Sequence, residues 1–133
     1  MMNTTSQQHQ WSIYPEGELT GKILECAFAV HNSLGAGFLE KVYENALVLE
    51  LRSSGIACEQ QRPLKVTYKG AVVGDYQADM VVEGKVLIEL KACSALDSNH
   101  EAQLMNYLRA SGLHVGLLLN SGRPKLEYRR FVS

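Results

Sequence analysis

A chain of 133 residues is long enough for one hydrophobic core and short for two, so a single domain is expected. Its 46% hydrophobic and 20% charged residues suit an ordinary globular protein, and a formal net charge of −1 argues against a tight, sequence-independent DNA binder. No apolar run reaches the roughly 18 to 20 residues that span a bilayer, and the opening MMNTTSQQHQ lacks the basic start and apolar stretch of a signal peptide, so a cytoplasmic protein with no membrane partner is expected.

Residues 1–17 are polar, carry Pro15 and Gly17, show no periodicity and read as a flexible N-terminal tail, leaving residues 18–133 as the folded domain. From Leu19 the spacing of Ile23, Leu24, Cys26, Ala27 and Val30 predicts a helix with Thr20 at its start and Gly35-Ala36-Gly37 at its end. A second helix is predicted from Phe38 and Leu39 through Val42, Tyr43, Ala46, Leu47 and Leu49 to a stop at Gly55. The period then falls to two. Leu64, Val66 and Tyr68 alternate with polar residues up to a Lys69-Gly70 turn; Val72-Val73 and then Ala78 to Val82 follow. Glu83-Gly84 makes a second tight turn, and Lys85 to Leu90 returns, which gives an antiparallel meander. His100 to Ala110 reads as a helix with Leu104, Tyr107 and Leu108 on one face and Gly112 as its cap. Val115 to Leu119 has the continuous apolar character of a doubly buried strand, and Leu126 to Val132 alternates like an edge strand. The order predicts an α/β or α+β fold with one central mixed sheet flanked by helices. Cys26, Cys58 and Cys93 are an odd number without CxxC spacing and read as buried, reduced thiols rather than a disulfide framework or a zinc site.

The stretch DYQADMVVEGKVLIELKA sets charge into this apolar meander. On a strand, Glu89 and Lys91 project from one face and Ile88 and Leu90 from the other, and the Glu83-Gly84 turn brings Asp79 alongside Glu89. Converging carboxylates are costly to bury unless a cation neutralises them, and a hard divalent ion such as Mg2+ or Mn2+ accepts such oxygen ligands. The adjacent lysine is then placed to orient or deprotonate an attacking water, or to stabilise charge on a phosphate. The competing reading is a solvated surface strand with Asp79 capping a turn.

Asp79, Glu89, Leu90 and Lys91 resemble the core signature of the PD-(D/E)xK nuclease superfamily, and Gly37-Phe38-Leu39-Glu40-Lys41-Val42-Tyr43 resembles the motif of its GxxExxY proteins. The resemblance runs from Leu19 to Val132, including AQLMNYL and GLLLN; Ala78 stands where the superfamily name has proline. It implies a restriction-endonuclease-like core and metal-dependent hydrolysis of phosphodiester bonds in DNA or RNA. Asp79 and Glu89 would bind Mg2+ or Mn2+, with the Leu90 backbone carbonyl as a third ligand and Lys91 assisting the water. Glu40 matches a position that supplies a further carboxylate to the metal or its water shell. Gln103 and Tyr107, at i and i+4, resemble a Q-x3-Y element that places substrate or lysine.

Each residue also has a purely structural reading. Glu40 in a first helical turn is favoured by the helix dipole alone. Tyr43 and Tyr107 fit core aromatics whose hydroxyls find partners, Gln103 fits an exposed helix position, and Gly37 fits a backbone turn. His31, His100 and His114 are too scattered to assign to a site. Lys22, Lys41, Arg109, Arg123, Lys125, Arg129 and Arg130 are the cations available for phosphates. Two readings compete with the enzyme: a nuclease fold that binds nucleic acid or a protein partner without cutting, and a homo-oligomer paired through its terminal edge strand.

Overall fold

The computed structural model describes residues 14–133, which form three helices and one five-stranded sheet. Of the expected tail, residues 1–13 lie outside the described residues. The Arg130 guanidinium lies 5.3 Å from the centre of the Tyr14 ring and donates to the Pro15 carbonyl. Gly17 already opens helix α1, Gly17–Leu34. Thr20 therefore does not start the helix: its buried hydroxyl donates back to the Gly17 carbonyl at 3.1 Å.

Helix α2, Glu40–Ser53, begins two residues later than the apolar pattern predicts, because Leu39 is extended at ψ 157° and serves as the N-cap. Phe38 and Leu39 consequently stay out of the core, Leu39 being 81% exposed. The link between the helices turns on Gly35 and Gly37, at φ 72° and 119°, values that glycine adopts freely. Tyr43 straps this link, since its hydroxyl donates to the Gly35 carbonyl and accepts from the Phe38 amide at 3.2 Å.

The meander consists of β1, Cys58–Tyr68, β2, Ala71–Val82, and β3, Val86–Lys91. The Val72-Val73 and Ala78–Val82 stretches are parts of one strand, β2, rather than two. Lys69 and Gly70, the two residues joining β1 to β2, both have positive φ, as a tight hairpin of right-twisted strands requires; β2 and β3 are joined by Glu83, Gly84 and Lys85, the first two at positive φ. Helix α3, Ser98–Ser111, then crosses to β4, Val115–Asn120, which lies parallel to β3; β5, Glu127–Val132, closes the sheet as an antiparallel edge. The order is β1-β2-β3-β4-β5. The expected mixed sheet and the fully buried apolar strand β4 are both present.

Two cores sandwich the sheet. Ile23, Leu47 and Leu51 of α1 and α2 pack on Met80, Ile88 and Leu117, while Leu104 and Leu108 of α3 pack on Leu87 and Leu118. The cysteines are unpaired, but only Cys26 is fully buried; Cys58 and Cys93 are half-buried, which corrects the expectation of three interior thiols.

The end of β4 is clamped to the start of the crossover by Asn120, which is fully buried. Its side-chain oxygen accepts from the Cys93 and Gly122 amides, and its amide group donates to the Cys93 carbonyl and the Glu127 carboxylate, all at 3.0 Å. Gly122 fits beneath this clamp because a β-carbon there would overlap the Cys93 backbone. Asn120→Ala should cost about 2 to 3 kcal/mol in urea unfolding, since it strands several buried polar groups at once. A loss below about 0.5 kcal/mol would show that the clamp carries little of the fold.

Candidate active site at the fork of two strands

Strands β2 and β3 pair only from Met80–Ile88 to Val82–Val86; beyond that they part. The alternation of β2 breaks at the same point. Met80 and Val82 belong to the core under α1 and α2, yet Val81 and Ala78 both belong to the core under α3. On neighbouring β1, Gln61 holds φ 52°, a left-handed value uncommon for a residue other than glycine.

Where a ladder ends inside a protein, the released backbone amides need other partners. Here the two site carboxylates supply them. Glu89 Oε2 accepts from the Asp79 amide at 2.8 Å, and Asp79 Oδ2 accepts from the Leu90 amide at 2.8 Å. The exchange fixes both side chains side by side at the mouth of the fork.

This proximity is electrostatically unfavourable. Glu89 is only 5% exposed, and burial followed by the Asp79 charge pushes its pKa up to about 8. Burial also raises Asp79, with Glu44 and Glu40 adding to the effect and the Leu90 amide and Gln61 opposing it. Glu40, the first residue of α2, is exposed and lines a cleft of about 640 Å3 together with Glu44, Gln61 and Asp79.

Glu44 and Gln61 were not picked out from the sequence. Glu44 is buried on α2, where it accepts from Lys41 at 3.0 Å, Gln60 at 2.7 Å and Gln61 at 3.0 Å. Its spacing of four from Glu40 puts both on one helix face, and that was the available signal. Gln61 had no comparable signal, because its place depends on an unusual backbone conformation.

Lys91 lies at the end of β3, and its Nζ donates to Gln103 Oε1 at 3.1 Å; Gln103 Nε2 in turn donates to the Tyr107 hydroxyl at 3.3 Å. The predicted i, i+4 pair is therefore linked to the lysine. Burial raises the Tyr107 pKa, and the charges of Glu89 and Asp79 raise it further, so the relay ends within the field of the carboxylates. Gln103 and Tyr107 line a second cleft, of about 750 Å3, between α3 and the β1–β2 hairpin.

Other polar residues serve the fold. His100 completes a capping box on α3: its Nδ1 accepts from the Asp97 amide at 3.1 Å, while Asp97 Oδ1 accepts from the Asn99 and His100 amides. His31 is buried, with Nε2 donating to the Arg123 carbonyl at 2.9 Å. Within the C-terminal basic cluster, Arg129 pairs with Glu101 and Glu127, and Arg130 is engaged by Pro15 and Tyr14.

Among the described residues, no group of three or more His, Cys, Asp or Glu is placed to hold a metal ion by itself. The fork does fit a hard divalent cation that keeps several waters and needs one or two carboxylates. Two acceptor-only groups stand together there, and burial and mutual charge penalise their ionised forms. The residues present thus match the donor chemistry of a hard divalent cation with water completing its shell.

The raised Glu89 pKa has a defined consequence for stability. Folded Glu89 binds its proton more tightly than the unfolded chain does, so its favourable contribution is full below the ordinary glutamate value of 4.5 and is lost as pH rises to about 8. In EDTA, the wild type should lose stability on the order of a few kcal/mol over that window, and Glu89→Gln, which keeps an acceptor but cannot ionise, should lose much less. Thermal unfolding across this range checks it; parallel profiles for the two proteins would show that Glu89 carries no buried-charge penalty.

No curated protein matches the chain in sequence. The crystal structure of SSO0001 superposes with a TM-score of 0.55 at 18% identity, covering 71% of this chain and 50% of that one, so this chain spans half the length of SSO0001. The alkaline exonuclease LHK-Exo from Laribacter hongkongensis superposes with a TM-score of 0.51 at 12% identity, covering 84% of this chain and 69% of that one. At these identities the likeness is one of fold, and that fold is restriction-endonuclease-like. The sequence pattern of the PD-(D/E)XK nuclease superfamily matches residues 17–131, a span that holds both helices of the first layer, the fork and the Lys91 relay. On that match the chain belongs to the PD-(D/E)XK nuclease superfamily.

Proposed function

We propose that the protein is a nuclease that hydrolyses phosphodiester bonds at the fork, with Mg2+ or Mn2+ as its cofactor. The observation that carries this reading is the exchange of carboxylates for ladder bonds, which holds the buried Glu89 against Asp79, itself at the wall of an open cleft. When bound, the cation would neutralise charge on the scissile phosphate and lower the pKa of an attacking water. Asp79, Glu89 and the Leu90 carbonyl are the proposed ligands, and Glu40 acts on the same site through the water shell.

The side chains divide the remaining work. Lys91 spends one of its three donors on Gln103 and has two left, enough to orient a water and to hydrogen-bond a phosphate oxygen. Gln103 and Tyr107 position the lysine and meet the substrate. Glu44 holds Gln60 and Gln61 in place beside Asp79. Membership of the GxxExxY proteins is supported by Gly37 at a left-handed turn, Glu40 at the opening of α2 and Tyr43 strapping the link between the helices. A cytoplasmic setting is supported by the three unpaired cysteines, and no described helix is long and apolar enough to cross a membrane.

The lack of a three-residue ligand group among the described residues favours a second reading, a nuclease fold that binds nucleic acid or a protein partner without cutting. Self-association is open to the same fold, because β1 and β5 are both edge strands.

Titration calorimetry of Mg2+ and Mn2+ should show binding to the wild type that is lost in Asp79→Ala. Lys91→Ala should keep that binding yet cleave single- or double-stranded DNA or RNA at least about a hundredfold more slowly. A wild type that binds the cations but leaves every substrate intact would give preference to the non-cutting module.

A further inference from the structure

The β1–β2 hairpin is longer than the sheet needs. β1 has 11 residues and β2 has 12, but β3 pairs only with Met80, Val81 and Val82 of β2. The rest, from Leu64–Tyr76 to Tyr68–Ala71, is paired only within the hairpin; Leu64 anchors its base in the core under α3, and the residues beyond it form an exposed two-stranded arm. Isolated hairpins gain little stability in water, so an arm of this length calls for a use.

The arm forms a wall of the 750 Å3 cleft, with Val66 and Tyr76 on one face and Lys65 at its edge, opposite Gln103, Tyr107 and Arg109 of α3. Tyr76 is 49% exposed, and its ring centre lies 5.7 Å from that of Tyr107. The ring lies over Gly74, where a β-carbon would come within 2.9 Å of it, so the absence of a side chain at that position lets the ring occupy this place. The cleft thus offers an open, preset aromatic surface, and its far wall carries the Gln103 bond to Lys91.

Its charge points to how a ligand would be held. The cations lining it are Lys65 and Arg109, the first already 3.2 Å from Asp75, in a chain of net charge −1. Gripping a duplex depends chiefly on neutralising many phosphates, which this cleft cannot do. Binding a single strand needs only modest positive charge when aromatic faces stack on unpaired bases. A duplex keeps its bases stacked on one another and leaves such a surface unused.

We propose that the cleft between α3 and the β1–β2 arm is the track for single-stranded nucleic acid, with a base stacked on the Tyr76–Tyr107 pair beside the Lys91–Gln103 relay. The proposal rests on the nuclease reading for its orientation toward the fork, but binding is measured apart from cleavage. Fluorescein-labelled oligo(dT), oligo(U) and a hairpin duplex are titrated by anisotropy in EDTA, where no metal-dependent cutting occurs. The single strands should bind more tightly than the duplex, and comparison of oligo(dT) with oligo(U) tells DNA from RNA. Tyr76→Ala should weaken single-strand binding by about five- to a hundredfold, and Tyr76→Phe, which keeps the ring, should restore it. The logarithmic salt slope should be shallow, about −1.4 for two phosphates.

A duplex bound as tightly as the single strands, no binding of any probe, or an unchanged affinity in Tyr76→Ala overturns the proposal. The two readings fail separately. Single-strand binding that depends on Tyr76, in a protein that cuts nothing with Mg2+ or Mn2+, keeps the track and removes the nuclease; cutting without dependence on Tyr76 does the reverse.

Discussion

The rule that a buried backbone amide must find an acceptor organises this molecule. Strands β2 and β3 stop pairing at Met80 and Ile88, which leaves the Asp79 and Leu90 amides without ladder partners inside the sheet. Each is satisfied by the carboxylate of the opposite strand, so the carboxylates of the proposed site are also the groups that terminate the ladder. Neither carboxylate can swing away without exposing an unpaired amide. The positions of the site oxygens are therefore held by the same forces that hold the sheet, with no need for a flexible loop to close on them.

Around that fork the charges are out of balance. Glu40, Glu44, Asp79 and Glu89 act on one another, as the raised proton affinities of Asp79 and Glu89 show, while Lys41 is committed to Glu44 and Lys91 to Gln103. A site built only for stability would be expected to pair or replace these groups. The α3 side holds the lysine by an amide rather than by a carboxylate, while its charge acts on Glu89 and Asp97. The two clefts on either side of the fork divide the surface accordingly, one acidic along α2 and one aromatic along α3.

Much of this was legible in the sequence, because hairpin turns and alternation are local signals. Lys69-Gly70, Glu83-Gly84, the burial of β4 and the pairing of Asp79 with Glu89 follow from glycine placement and a period of two. The helix starts were misplaced for an equally local reason: Thr20 has the side chain of a cap but faces the interior, and Phe38 and Leu39 have apolar side chains but sit in an extended link that no helix buries. The division of β2 into two strands reflected the exposed Val72-Val73 stretch, whose pairing depends on β1 rather than on a core. Gln61 escaped notice because its partner Glu44 lies on another element, which no local pattern encodes, whereas Glu44 carried a local signal in its spacing of four from Glu40. The Q-x3-Y spacing placed Gln103 and Tyr107 together, but their connection to Lys91 arises only when α3 crosses the sheet.

The connectivity of the meander also bears on how the molecule assembles. Asp79 meets Glu89 and Leu90 across separations of 10 and 11 residues through a three-residue turn, whereas the parallel β3–β4 pair must wait for the whole α3 crossover to close. Short-range contacts form sooner than long-range parallel ones, so the expected pathway brings the two acidic side chains together while water still surrounds them. Their repulsion is then met in a high dielectric, where it is weak, and is intensified only when α3 and β4 cover β3. On that pathway the cost of keeping the two carboxylates together is met in its last act, the docking of a helix over charges already in place.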